Sequence, residues 1–239
     1  MNAVAPVVVA IDGPSGSGKS TISKRLAAEL GLAYLDTGAM YRAATWWCRR
    51  CEVDLDDAPA VAQAVRQMPL VMVTDPAGPR VVCDDVDITE LIRGSDISAI
   101  VSKVATNLEV RAELQRRQRA EIDAEQRSGG RSEGRGIVAE GRDITTVVAP
   151  DATARILLTA DEAARLARRA RELHGAVDEA ALAATHDEVV RRDAEDSTVS
   201  TFLTAAGGVV TIDSSALTLD QTLQAVLDVV VAARGAVTT

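Results

Sequence analysis

The chain has 239 residues, 47% hydrophobic and 26% charged, which is close to an average soluble globular protein and excludes disordered, collagen-like and low-complexity classes. Aromatic residues are only 2% and the net charge is −9, so the chain lacks both a stacking platform for single strands and a basic face for a duplex, and no nucleic-acid partner is expected. Any anionic ligand must meet a local cluster of Arg and Lys, and the length fits one large domain or one domain with an insertion.

Residues Val7 to Ile11, VVVAI, form a short apolar run ending in Asp12-Gly13, the pattern of a strand buried on both faces of a parallel sheet. The run has no basic flank and no small-residue cleavage site, so it reads as a strand and not as a signal peptide. No apolar stretch approaches the roughly 18–20 residues needed to cross a bilayer. A cytoplasmic protein with no membrane partner is the expectation. Ser20 to Leu30 follows as a helix with Ile22, Leu26 and Leu30 on one face and Gly31 as its C-cap. Leu32 to Leu35 reads as a second strand, and Asp36-Thr37-Gly38 opens a helix over Ala39 to Arg50.

From Glu52 to about Ile92 the texture changes. An amphipathic stretch, Ala58 to Gln67, precedes two strands, Leu70 to Thr74 and Val81 to Cys83, joined by Asp75-Pro76-Ala77-Gly78-Pro79. That is an antiparallel hairpin, foreign to a parallel sheet, and predicts an inserted subdomain. Ser95 to about Gln126 is helix-forming, and Ser128 to Gly136, SGGRSEGRG, reads as a mobile loop. Ile137 to Ala139, Arg155 to Leu158 and Val209 to Ile212 are further core strands, with helices over Asp161 to Leu173, Asp187 to Glu195 and Thr218 to Arg234.

Cys48 and Cys51 form a C-x-x-C inside a predicted helix. A zinc site would need two more ligands, and Cys83, His174 and His186 do not stand at finger spacing; a redox pair would want a thioredoxin-like strand before it. Unreactive thiols in a reducing compartment are the reading that is left.

Gly13-Pro14-Ser15-Gly16-Ser17-Gly18-Lys19-Ser20 is a full G-x-x-x-x-G-K-S P-loop between an apolar strand and a helix, the context the motif requires. Its glycines let successive N–H groups point into one anion cavity, and the helix that begins near Lys19 adds its positive end. ATP is expected on Gly13 to Ser20 and Thr21, with Lys19 bridging the β- and γ-phosphates and the Ser20 hydroxyl on Mg²⁺. A guanine-reading N-K-x-D is absent, and the length is short for a motor. Arginines stand instead at the ends of elements: Arg42, Arg111, Arg142, Arg165, Arg168, Arg169 and Arg192. Arg165, Arg168 and Arg169 share a helix face. Any one of them alone reads as a solvated surface residue; as a set in an acidic chain they point to a second phosphate-bearing substrate.

Over nearly its whole length the sequence resembles the bacterial-type cytidylate kinases, a family of P-loop nucleoside monophosphate kinases. The segments that carry the resemblance come in order: Ile11 to Ser20, Leu35-Asp36-Thr37-Gly38-Ala39-Met40-Tyr41-Arg42, Asp85-Val86-Asp87-Ile88 before Ile92-Arg93, Val110-Arg111 before Gln118-Arg119, Glu140-Gly141-Arg142-Asp143, and Arg192-Asp193 before Asp196-Ser197. The resemblance implies an α/β fold, a parallel sheet flanked by helices with an inserted antiparallel NMP-binding subdomain and a helical lid. The P-loop core would span 1–51 and 93–239, the lid about 160–196, and the insert 52–92.

It implies transfer of the γ-phosphoryl group of ATP to CMP or dCMP by a monomeric chain. Thr37, Tyr41, Arg42, Arg111 and Asp143 would surround cytosine and its phosphate, Arg142 would face the phosphate, and Ser102, Arg192 and Asp196 would hold the ribose. Lys19, Arg42, Arg142, Arg165 and Arg169 would carry the charge neutralisation, with Glu140 either in the Mg²⁺ shell or structural. On residue type alone Asp143 also reads as a salt bridge or a helix cap beside Arg142.

Three departures stand out. After Asp196-Ser197 the family has a further arginine and then Pro-Leu, whereas this chain has Thr198-Val199-Ser200-Thr201-Phe202-Leu203. Thr145 replaces a preferred glycine and Ala149 a usual aromatic, both read as packing changes. The rival functions are a P-loop kinase for another acceptor, such as a uridylate, and a nucleotide-binding module without turnover.

Overall fold

The structure, a computed structural model, describes residues 5–175, 177–178, 182, 185–186, 191 and 193–237. In chain order the first elements are β1 (Val7–Asp12), α1 (Lys19–Leu30), β2 (Ala33–Asp36), α2 (Thr37–Arg50) and α3 (Ala58–Gln67). Three short strands follow, β3 (Leu70–Val73), β4 (Arg80–Cys83) and β5 (Val86–Asp87), then α4 (Ser95–Ser98), α5 (Val101–Ala105) and α6 (Leu108–Glu125). β6 (Gly136–Gly141), β7 (Ala154–Thr159), α7 (Glu162–His174), β8 (Val210–Asp213) and α8 (Leu219–Val237) complete the described order. Of the helix predicted over Asp187 to Glu195, residues 187–190 and 192 lie outside the described residues, and 193–197 are helical.

The five strands β2-β6-β1-β7-β8 pair in parallel, so β1 is central and all six of its residues are buried. The period of two divides those residues between two cores. Val8 and Ala10 pack with Ala43, Val104, Leu114 and the insert residues Val61, Val65 and Val81. Val7, Val9 and Ile11 pack on the other side with Ile22 and Leu26 of α1 and Val226 and Val230 of α8. Helices cover both faces, as a wholly parallel sheet requires.

The segment 52–92 carries its own antiparallel sheet, β3-β4-β5, with Leu70 opposite Cys83 and Val73 opposite Arg80. It has no separate core, because Val61, Val65, Val81, Cys83 and Ile88 belong to the cluster built on Val8 and Ala10. Cys48 and Cys83 are buried and their thiols are pushed up to about 11 by burial, so they stay protonated at neutral pH; Cys51 is exposed.

The helix-forming stretch Ser95 to Gln126 is divided into α4, α5 and α6, and Asn107 marks the break between the last two, capping α6 through bonds from the N–H groups of Glu109 and Val110. The mobile loop predicted over Ser128 to Gly136 is instead a tight turn wound on one buried carboxylate. Glu125 accepts from Thr74 Oγ1 (2.9 Å), Arg131 N (3.1 Å) and Ser132 N (2.8 Å), and Ser132 Oγ donates to the Glu125 carbonyl. A run of Gly and Ser had hidden an acceptor that lies just upstream of it.

Gly136 opens β6 with φ +114, and a Cβ there would meet Val7 O at 2.0 Å and Val7 N at 2.6 Å in the neighbouring strand. Both the backbone angle and the space exclude a side chain. Gly136→Ala is expected to lower unfolding stability by at least about 2 kcal/mol, read as a shifted urea midpoint.

Candidate active site

At the end of β1 the chain turns through Gly13, Gly16 and Gly18, with φ of +153, +75 and +90, and enters α1 at Lys19. Side chains at the first two would strike backbone: a Cβ lies 2.1 Å from Leu158 O at Gly13 and 2.5 Å from Arg165 O at Gly16. Lys19 arches back over the loop, and its Nζ donates to Pro14 O at 2.9 Å. Burial pushes its pKa down to about 8, against the attraction of Glu140 and with the help of Arg142. Thr21 is exposed in the first turn of α1.

Ser20 Oγ donates to Glu140 Oε1 at 2.5 Å, and Tyr34 OH donates to the same oxygen at 3.0 Å. Burial raises the Glu140 pKa, and the neighbouring Asp36 raises it further. Asp36 caps α2 through a bond from Ala39 N and pairs with Arg42 at 3.2 Å. Thr37 Oγ1 donates to Glu140 O at 2.7 Å, which ties the start of α2 to the end of β6.

Beside this loop lies an open cleft of about 430 Å³. Thr37, Tyr41, Arg111, Arg142, Asp143 and Asp196 line it, whereas Arg42 and Ser102, also expected on the acceptor side, are not among its lining residues. At one side Arg111 meets Asp143 Oδ2 at 2.5 Å, and Gln115 donates to that same oxygen at 2.7 Å. Both bonds fall on Oδ2, which leaves Oδ1 for a ligand. Arg111 also lies over the Tyr41 ring, 5.6 Å from its centroid.

At the other side Arg142 pairs with Asp193 (3.0 Å) and Asp196 (2.8 Å) and lies over the Phe202 ring. Arg165 of α7 pairs with the same Asp193 and donates to Ser15 O at 3.0 Å, while Ser15 N donates to Asp193. Arg168 donates to Ser17 O and to Ser214, fastening α7 between the P-loop and the end of β8. Arg169 follows in α7 and is half-buried. Ser102 is buried in α5 and bonds to Glu195, whose carboxyl burial raises but whose bonds from Ser102 and Arg191 hold it below the usual range. Arg192 lies outside the described residues.

Three contributors have no role in the sequence reading: Gln115, Asp193 and Asp12. Gln115 was within reach, since it stands four residues after Arg111 on α6 and so shares its face. Asp12 is buried and accepts from Ile144 N (2.9 Å), Thr145 N (2.8 Å) and Thr145 Oγ1 (2.6 Å). Burial raises its pKa and these bonds oppose the rise. Thr145 is therefore more than the packing change expected from the sequence, because its hydroxyl holds the segment after Arg142-Asp143 to the end of β1.

A parallel sheet wound on both faces, a P-loop after its central strand and an arginine-lined cleft beside the loop define a P-loop kinase of the nucleoside monophosphate kinase type. The profile of the family described as cytidylate kinase matches residues 9–232, and the chain belongs to that family. It is similar to proteins named cytidylate kinase from Streptomyces coelicolor (46% identity over 94% of this chain and 92% of the relative) and Cutibacterium acnes (49%, over 94% and 96%). Another relative of that name, from Streptomyces avermitilis, is 43% identical over 98% of this chain and 96% of its own.

Thr145→Val keeps the shape of the side chain and deletes one donor to a buried carboxylate. It is expected to cost about 1.5–3 kcal/mol in urea unfolding, with Thr145→Ser restoring most of it.

Proposed function

We propose that this chain transfers the γ-phosphoryl group of ATP to CMP, and to dCMP, giving ADP and CDP or dCDP. The observation that carries this reading is the Asp143–Arg111 pair in a cleft next to the P-loop. Cytosine has an exocyclic amine that donates and N3 and O2 that accept, so Asp143 would take the amine while Arg111 serves the acceptors. Uracil would set a carbonyl against the carboxylate and an N–H against the arginine, a mismatch of the kind that discriminates by ~10⁴.

In the reaction, Lys19 exchanges the Pro14 carbonyl for the β- and γ-phosphates, and the N–H groups of 13–18 enclose them with Thr21 at the helix start. Arg42 and Arg142 meet the acceptor phosphate, Ser102, Arg192 and Asp196 hold the ribose, and Arg165 with Arg169 screens the transferring charge. No general base is needed, because a phosphate monoester with a second pKa near 6 is already ionised at neutral pH. The obstacle is repulsion between anions, which positioned cations remove. Ser20, and Glu140 behind it, are hard oxygen donors whose carboxylate sits buried beside Asp36, a pairing that a divalent cation relieves; they fit Mg²⁺. Mg²⁺ bound there supplies charge neutralisation on the triphosphate.

In this reading residues 52–92 form the acceptor-side insert on a core of 1–51 and 93–239. The segment of about 160–196 acts as a lid that excludes water, the competing acceptor. No helix among the described residues is long and apolar enough to cross a membrane. A cytoplasmic, monomeric enzyme is the setting that this reading assigns.

The test is ADP release with ATP and each monophosphate in turn. CMP and dCMP are expected to be turned over and UMP poorly, and Asp143→Asn to narrow the gap, because an amide donates to the uracil carbonyl as well. UMP as the best substrate of the unaltered protein overturns the base-reading argument. A second outcome follows from Lys19. Its ammonium is charged below about pH 8 in the free protein, so kcat/KM for ATP should fall above that pH. Bound triphosphate favours the charged lysine, and kcat at saturating ATP should hold to higher pH. A pH profile of both parameters checks this.

A further inference from the structure

Phe202 is the only phenylalanine in the chain and is 1% exposed. It stands in the irregular stretch after Asp196. Its ring lies against Arg142, with the guanidinium carbon 4.4 Å from the ring centroid, closer than the 5.6 Å of Arg111 over Tyr41.

Two kinds of partner hold Arg142, and they differ in what a phosphate does to them. Asp193 and Asp196 ion-pair with Nη2 and Nη1 of the guanidinium at 3.0 and 2.8 Å, and Nη1 makes no hydrogen bond. Those are the donors an incoming phosphate needs, so the carboxylates and the phosphate compete. The ring covers a face and takes no N–H, so it can stay when the edge changes partners. A buried cation that lost both carboxylates with no other anchor would be free to swing with them.

We propose that Phe202 is the positioning residue of Arg142. Its ring face holds the guanidinium at the acceptor end of the cleft while the N–H edge passes from carboxylate to phosphate. The proposal rests on the reading that Arg142 meets the acceptor phosphate.

Because the chain has one phenylalanine, feeding 4-fluoro-, 3,5-difluoro- or 3,4,5-trifluorophenylalanine to a phenylalanine-requiring host alters position 202 alone. Fluorine drains electron density from the ring face with little change of shape, so packing is held nearly constant while the attraction for a cation falls. Across the series kcat/KM for CMP is expected to drop stepwise, by about 3- to 30-fold at the trifluorinated ring, with KM for ATP within twofold. A flat series overturns the proposal, since a purely packing role leaves it unmoved. Phe202→Leu should lose at least as much as the trifluorinated protein. Arg142→Ala, measured alongside, separates the two levels. A loss of CMP turnover there with a flat fluorine series removes the role of Phe202 only; unchanged CMP turnover removes the reading of Arg142 and the proposal with it.

Discussion

Five cations of the P-loop and its neighbouring cleft rest on acceptors inside the protein. Lys19 sits on the Pro14 carbonyl, Arg42 on Asp36, Arg111 on Asp143, Arg142 on Asp193 and Asp196, and Arg165 on Asp193 and Ser15 O. The constraint behind this is electrostatic. A chain of net charge −9 gathers five positive groups around one cleft, where little water screens them, and a buried unpaired charge costs several kcal/mol. Internal acceptors keep the cations charged and ordered before any ligand arrives.

The acceptors are of unequal strength, and that grades the site. A neutral carbonyl holds Lys19, and burial lowers its pKa to about 8 against the attraction of Glu140. Charge-assisted bonds to carboxylates hold Arg42, Arg111 and Arg165, and these are roughly twice as strong. The P-loop side is therefore the under-compensated pole of the cleft, and the acceptor side is satisfied by carboxylates. Asp193 stands where the two sides meet, because it accepts from Ser15 N of the P-loop, from Arg165 of α7 and from Arg142 after β6. One carboxylate thus ties three elements that are far apart in sequence.

How much of this was legible depends on the range of the interaction. β1, the P-loop and α1 are written in consecutive residues, through VVVAI, three glycines and the spacing of Ile22, Leu26 and Leu30. The antiparallel β3–β4 pair was legible because Asp75 to Pro79 is turn chemistry between two β-branched runs. Arg111 and Asp143 could be named from a family resemblance, but their 2.5 Å contact bridges 32 positions, and no local pattern encodes it. Gln115 joins them through helix periodicity, a local rule. Glu125 inverted the expectation for Ser128 to Gly136, because composition reports backbone freedom and says nothing of a carboxylate that removes it.

Asp12 shows why the two halves of the site keep their relation. It is the last residue of β1, so the P-loop begins at its carbonyl, and its carboxylate holds Ile144 and Thr145 immediately beyond Arg142-Asp143. The P-loop and the Arg142-Asp143 segment thus hang from opposite ends of one buried residue. A shift of either half by an ångström would break bonds to a desolvated carboxylate, a cost set by burial and not by any ligand. Three donors on Asp12 are a structural solution to a catalytic requirement, since in-line transfer demands that donor and acceptor phosphates meet at fixed separation. The Thr145 hydroxyl adds the third donor, and so stiffens this joint.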